Sequence, residues 1–287
     1  MASMRDIKRR RVSIQSTQQI TKAMKLVSTV KLQKARVHAE ATDPYFRHMY
    51  DTVRSILARS GSLDHPYLQK GASDTIAVIV ITSNRGLAGG YNSNVVKLIT
   101  NHPDQFPKDQ VELYCVGSKG RDSLERFGYD IAGFNADAVE EPDYMTAAPI
   151  IKKVLDRFEA GEIGEIYLAY THFKNTVTQV PEMMKLLPLE FDEGEIAPEE
   201  ANLIMNYEPT DTEALDMIIP KYVASIFYGA LVEAKASENG ARMQAMDSAT
   251  NNAEEIISDL SLKYNRARQG SITQELTEII AGAEALA

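Results

Sequence analysis

Cysteine is almost missing from this sequence: Cys115 stands alone among 287 residues. A single thiol excludes an internal disulfide. The five histidines (His38, His48, His65, His102 and His172) are scattered, so no Cys/His spacing suggests a metal site. Tryptophan is absent, and aromatic residues make up only 7%. No uninterrupted apolar run approaches the roughly 20 residues of a membrane span. No signal peptide is legible, and the reading therefore expects a cytosolic chain. No Ser/His/Asp or Cys/His arrangement for nucleophilic catalysis stands out. Neither of the two common phosphate fingerprints, G-x-G-x-x-G and G-x-x-x-x-G-K-[ST], is complete. No catalytic, cofactor-binding or metal-ligating residue is assigned on these grounds.

What is present is charge, unevenly spread. Apolar residues (44%) and charged residues (25%) are at ordinary levels, and the net charge is −9. Residues 1–59 carry 13 Lys/Arg against 4 Asp/Glu. Residues 60–208 carry 12 against 24, and residues 209–287 carry 6 against 12. A basic start and an acidic end attract each other, or the basic part seeks an anionic partner.

Helical period dominates the last eighty residues. Leu215, Ile218, Ile219, Tyr222, Val223, Ile226, Phe227, Ala230, Leu231 and Ala234 form one apolar face. The face narrows to Ala241, Ala245, Ala249 and Ala253, then resumes at Ile256, Leu260 and Tyr264 and ends in Ile272, Leu276, Ile279 and Ile280. Thr210 with Glu213 reads as a capping box. Pro220 should kink the first turns. At ~1.5 Å per residue the stretch after Pro220 would span roughly 100 Å, longer than a compact domain of this size. Such a helix needs cover from elsewhere.

The first sixty residues are helical too. Ser3 can cap, with Asp6 at N3, and Met4, Ile7, Ile14, Ile20, Met24, Val27 and Val30 form a loose apolar stripe. Asp43-Pro44 predicts a kink or restart. The pattern runs on through Phe46, Met49, Val53, Ile56 and Leu57, then breaks at Ser60-Gly61-Ser62. Two long terminal helices of opposite charge predict an antiparallel coiled coil, although the heptads are irregular and give no strict seam.

Between them the pattern turns to alternating strand and helix. Thr75–Thr82 is a β-branched run suited to the centre of a parallel sheet. A helix follows over about Asn92–Thr100. Further strands are expected at Val111–Val116, Ile131–Phe134 and Glu165–Tyr170, with helices to Phe127 and over Thr146–Ala160. Thr176–Leu189 looks extended, and Pro181 argues for a sheet edge. Residues 190–208 read as an acidic loop. The fold class expected is α/β: a long antiparallel coiled coil of N- and C-terminal helices with an inserted Rossmann-like α/β domain. The boundaries expected are 1–59, 60–208 and 209–287.

Three features invite a functional reading. Gly86-Leu-Ala-Gly-Gly90 joins a buried strand to a helix, where phosphate loops occur, but glycines also serve a plain tight turn. Gly117-Ser-Lys-Gly120 reads more simply as a βα loop. Lys8-Arg9-Arg10-Arg11 suits nucleic acid or, more simply, an acidic protein face. A coiled-coil nucleic-acid-binding protein and a nucleotide-binding α/β protein therefore stay open as alternatives.

Three stretches together resemble a known family. They are Ile20-Thr-Lys-Ala-Met-Lys-Leu-Val27, Arg85-Gly-Leu-Ala-Gly-Gly90 and Tyr264-Asn-Arg-Ala-Arg-Gln-Gly-Ser-Ile-Thr-Gln-Glu-Leu-Thr-Glu-Ile279. In this order they resemble the gamma subunit of bacterial F-type ATP synthases. Ala88 stands where the commonest form of the glycine motif has Cys. No insert with paired cysteines is present, so thiol regulation is not expected.

The resemblance implies a non-catalytic rotor shaft, one copy per complex. Its implied partners are three alpha and three beta subunits, the epsilon subunit and a membrane c ring, with no nucleic acid. It implies a peripheral protein on the cytoplasmic face of the cell membrane, coupling proton flow to ATP synthesis or hydrolysis. By motif position, Met24, Lys25, Arg242, Arg268, Gln269, Thr273 and Glu275 are implied as contacts to beta. Lys25 stands where some relatives carry an acid. Tyr207 and Glu208 are implied as contacts to the c ring. Each is otherwise an ordinary solvated position on a long helix.

Overall fold

A computed structural model describes residues 4–60, 65–189 and 211–284. The expected caps at Ser3 and Thr210, the break at Gly61-Ser62 and the acidic loop 190–208 lie outside the described residues. By internal contacts the chain forms two units. One is Met1–Ser28 with Arg242–Ala287, and the other is Thr29–Ala241. Two helices take part in both: α1 (Met4–Ser60) and α5 (Asp211–Glu284).

The larger unit is built on a five-stranded sheet of β1 (Ile76–Ile81), β2 (Val111–Val116), β3 (Asp130–Asn135), β4 (Glu165–Phe173) and β5 (Gln179–Leu187). Its order is β3-β2-β1-β4-β5. β1, the Ile-Ala-Val-Ile-Val-Ile run, takes the centre and pairs in parallel with β2 and β4. Both its faces are covered, which is why the run is continuously apolar rather than alternating. Ile79 and Ile81 face a core with α4 (Tyr144–Glu159), α5 and Val53 of α1. Val78 and Val80 face a second core with α2 (Tyr91–Thr100) and α3 (Ser118–Arg126). β5 is antiparallel and forms an edge, where Pro181 needs no donor.

α5 enters this unit with its expected face inward. Leu215, Ile219, Val223, Phe227 and Leu231 are all fully or almost fully buried in the first core. The start of α5 does have the length and apolar composition of a membrane span. Its burial in the domain accounts for that composition without a membrane.

Two helix expectations meet the structure differently. Of the kink or restart expected at Asp43-Pro44, the restart does not occur: α1 runs through Pro44 as one helix. A proline removes one donor, and the turns on either side keep their own bonds. The coil seam is also different from the stripe read in the sequence. In the smaller unit α1 is covered along the series Met4, Ile7, Arg11, Ile14, Gln18, Thr21, Lys25 and Ser28, with Met24 half-covered beside it. α5 is covered along the series Met246, Thr250, Ala253, Ile257, Leu260, Tyr264, Ala267 and Ser271, with further half-covered positions at 242–245, 247, 249 and 261. Both sets step by three and four in strict alternation, the 3.5-residue repeat of a left-handed supercoil. Ile20 and Val27, assigned to the stripe, are instead 60% and 57% exposed. Five of these eight α1 positions are polar, so an apolar search follows the seam through Met4, Ile7 and Ile14 and then leaves it.

Candidate partner-contact surfaces

Residues joining the two helices of the smaller unit define an antiparallel pair. Lys25 Nζ lies 2.5 Å from Asp247 Oδ1, and the Thr21 and Thr250 hydroxyls share a hydrogen bond of 2.8 Å. Arg11 stacks its guanidinium over the Tyr264 ring, 5.4 Å from the centroid. As the α1 number rises, the α5 number falls. Near the chain start the pair opens into a cleft of about 1450 Å³ beside Met4, Arg9, Arg10, Lys263 and Arg266, at Gly270. Its charged walls are mainly cationic.

The structure divides the implied beta-contact residues into two groups. Lys25 is half-covered and paired with Asp247, while Met24 and Arg242 are half-covered nearby in sequence along the same pair. Arg268, Gln269, Thr273 and Glu275 are all exposed. From Asp247 to Arg268 the helix advances roughly 30 Å at ~1.5 Å per residue, so one loop cannot meet both groups at once. Within the second group the faces differ. Arg268 and Glu275 are two turns apart on one face. Gln269 and Thr273 are one turn apart on another about 100° round, and the Thr273 hydroxyl donates to the Gln269 carbonyl at 2.9 Å. Tyr207 and Glu208 lie outside the described residues.

Between those two polar faces runs a line absent from the list of implied contacts: Ile272, Leu276 and Ile279, each about half exposed or more. The line points away from the seam residues Tyr264, Ala267 and Ser271. In the sequence these three appear as the end of the apolar period of α5. A helix with a second apolar line roughly 110° round from its seam has one more face to bury than its partner helix can cover.

The first candidate anion site, the glycine turn, is a tight bend. Leu87 (φ 64°) and Gly89 (φ 57°) both adopt left-handed backbone, which sharpens the exit from β1. The start of α3, the other candidate anion site, has its amides committed. Asn84 Oδ1 accepts from Ser118 N–H, the Ser83 carbonyl from Lys119 N–H, and Thr82 Oγ1 from Gly120 N–H. Gly117 is required here: at φ 107°, a Cβ would stand 2.1 Å from the Thr82 carbonyl oxygen. Among the described residues no group of three or more His, Cys, Asp or Glu side chains is placed to hold a metal.

Comparison with known proteins agrees with this architecture. Residues 3–286 match the protein family described as ATP synthase. A protein named ATP synthase gamma chain from Lachnoclostridium phytofermentans is 62% identical over 292 residues, covering 100% of both chains. One from Acetobacterium woodii, named ATP synthase gamma chain, sodium ion specific, is 43% identical and covers 99% of both. In fold, the chain resembles one from the Euglena gracilis mitochondrial ATP synthase with a TM-score of 0.69 at 18% identity, over 99% of this chain and 94% of that one. It also resembles a chain of the Tetrahymena thermophila mitochondrial ATP synthase central stalk and c ring, with a TM-score of 0.59 at 24% identity, over 80% and 99%. These two likenesses speak to fold alone. The near-complete family match and the full-length relatives place this chain in the ATP synthase gamma-chain family.

Proposed function

We propose that this chain is the central rotor shaft of an F-type ATP synthase, non-catalytic itself and present once per complex. The observation that carries the reading is the doubly apolar end of α5. One line closes the coil at Leu260 and Tyr264, and the other, Ile272, Leu276 and Ile279, faces outward. A ring of three alpha and three beta subunits is the sheath such a helix calls for. In this reading Met24, Lys25 and Arg242 meet beta at one level, and Arg268, Gln269, Thr273 and Glu275 at another. Tyr207 and Glu208 meet the membrane c ring, beside epsilon, on the cytoplasmic face of the cell membrane. Neither the nucleic-acid nor the nucleotide-enzyme alternative is favoured by the family membership.

The physics of coupling follows from asymmetry. A shaft that offers different side chains to three otherwise equal sites gives each site a different equilibrium between conformations, and hence a different nucleotide affinity. Arg268 and Gln269 point about 100° apart, so they serve different steps of a turn. A charge-assisted hydrogen bond is worth about 1.5–3 kcal/mol and a neutral one about half that, enough to bias substates without holding any one of them. Ion flow through the c ring, with protons as the ion expected from the sequence, would turn the shaft through these contacts.

The test is Arg268→Ala with Gln269→Ala, since alanine keeps the helix. Membranes should retain normal gamma content but show lowered ATP hydrolysis, or lowered ion pumping per ATP. Wild-type rates at wild-type gamma content would overturn the contact assignment.

A further inference from the structure

A doubly wound sheet opens a ligand crevice beyond the carboxyl ends of the two strands where the chain order reverses. Here those strands are β1 and β4. α5 fills that place. The Tyr91 hydroxyl, at the start of α2, donates to the Ala234 carbonyl at 3.2 Å. The Ser237 hydroxyl donates to the Thr171 carbonyl of β4 at 3.1 Å. Ala236 and Ser237 are fully buried, and Glu238 and Asn239 nearly so. The run Ala234-Lys-Ala-Ser-Glu-Asn-Gly240 thus puts polar side chains into one of the most enclosed parts of the helix.

Those polar groups connect to the sheet. Lys235, only 13% exposed at its side chain, holds its ammonium 3.2 Å from Glu238 Oε2 and 3.6 Å from Glu140 Oε2. Glu140 accepts from Asn84 Nδ2 at 3.1 Å, and Asn84 Oδ1 accepts from the first amide of α3. Burial alone would raise the Glu140 carboxyl. The Asn84 hydrogen bond and the charges of Lys235, Arg85 and Lys31 outweigh it and hold the group below its ordinary value. A single chain of contacts therefore runs from α3, through the loop after β1, to the middle of α5.

We propose that the ligand crevice of this domain serves as a clamp on α5, with Lys235 as its positioning residue. The small side chains of Ala234, Ala236, Ser237 and Gly240 let the helix seat close to the strand ends. Lys235 then neutralises Glu238, whose carboxylate would be costly to enclose alone. Beyond Gly240 the helix continues unbroken to Glu284, so a torque on the α/β domain enters the shaft at this grip. The inference rests on the rotor reading.

The test uses whole complexes in membranes with Tyr91→Phe and Lys235→Met in this chain, which remove polar tips and keep side-chain bulk. Gamma content, ATP hydrolysis and ATP-driven ion uptake are measured on the same sample. Uptake per ATP hydrolysed should fall severalfold at wild-type gamma content, and Lys235→Arg in place of Lys235→Met should restore it. A wild-type ratio in the double variant overturns the clamp. Hydrogen exchange gives a second reading, taken on the full purified chain if the variant does not assemble. Amides over 230–241 should exchange about tenfold faster together with those of 82–91, while β2 stays unchanged. Unchanged exchange at 82–91 also overturns it. Failure of the rotor reading looks different: wild-type ion uptake would not depend on this chain, and the exchange data would still decide the clamp.

Discussion

Lys25 and Asp247 join the two helices of the coil through one ion pair, Nζ to Oδ1 at 2.5 Å, with both side chains a little under half exposed. Water screens a pair in that position. A double-mutant cycle with Lys25→Ala and Asp247→Ala, read by urea unfolding of the full chain, should give a coupling energy below about 1 kcal/mol. A larger value would make the pair a main tie of the coil. A small value leaves Lys25 able to exchange Asp247 for a partner's carboxylate at little cost.

The two sides of α5 should respond differently to truncation. Leu260 is 7% exposed in the seam, and Ile279 is 68% exposed on the outward line. Leu260→Ala should destabilise the full chain by about 2 kcal/mol or more. Ile279→Ala should stay within about 0.5 kcal/mol of wild type yet lower ATP turnover in the assembled complex. Equal effects on stability would mean that the outward line packs within the chain.

The reason much of this was readable, and some was not, is the chemistry of the seam. β1, the long face from Leu215 to Ala234 and the edge position of Pro181 all follow from apolar period and proline geometry. The coil does not, because Arg11, Gln18, Thr21, Lys25 and Ser28 line α1 where apolar residues were sought. Ile20 and Val27 obey a helical period just as well, but on the outer side. The packing of Ser237, Glu238 and Asn239 was hidden for a similar reason, since polar side chains signal solvent until a partner is seen. Among the contact residues, motif position gave the list. Residue spacing along one helix already separates Arg242 from the group around Arg268. What it did not give is that Met24 and Lys25 stand at the level of Arg242, which the Lys25–Asp247 pair fixes.

Calorimetry of the full chain with ATP or ADP should show no saturable binding in the micromolar range. The first amides of α3 already have acceptors in Asn84, Ser83 and Thr82, and α5 stands over the strand ends. Micromolar affinity abolished by Gly89→Val would place a nucleotide at the glycine turn after all.

Cys115 lies buried in β2, and burial pushes its thiol up from 9.0 to about 12. Thiol reagents at neutral pH should therefore leave the native chain unmodified and label it once on unfolding. The folded thiol holds its proton more tightly than the unfolded one. Its contribution to stability is complete below pH 9 and is lost as pH rises toward 12. Replacing Cys115 with Ala should reduce the loss of stability over that window; an unchanged slope would assign the alkaline loss to other groups, such as the buried tyrosines.

The hydrogen bond between Thr21 and Thr250 closes a separation of 229 residues. During synthesis at about 5–20 residues per second, α1 leaves the ribosome roughly 10–45 s before its partner segment exists. For that time Leu260 and Tyr264 are not there to cover Ile7 and Ile14, and the outward Ile20 and Val27 are bare as well. The coil is thus the last part of the molecule that can form. A nascent chain of this protein has to carry an unmatched amphipathic helix through most of its own translation, which makes α1 the segment most in need of a chaperone's shelter.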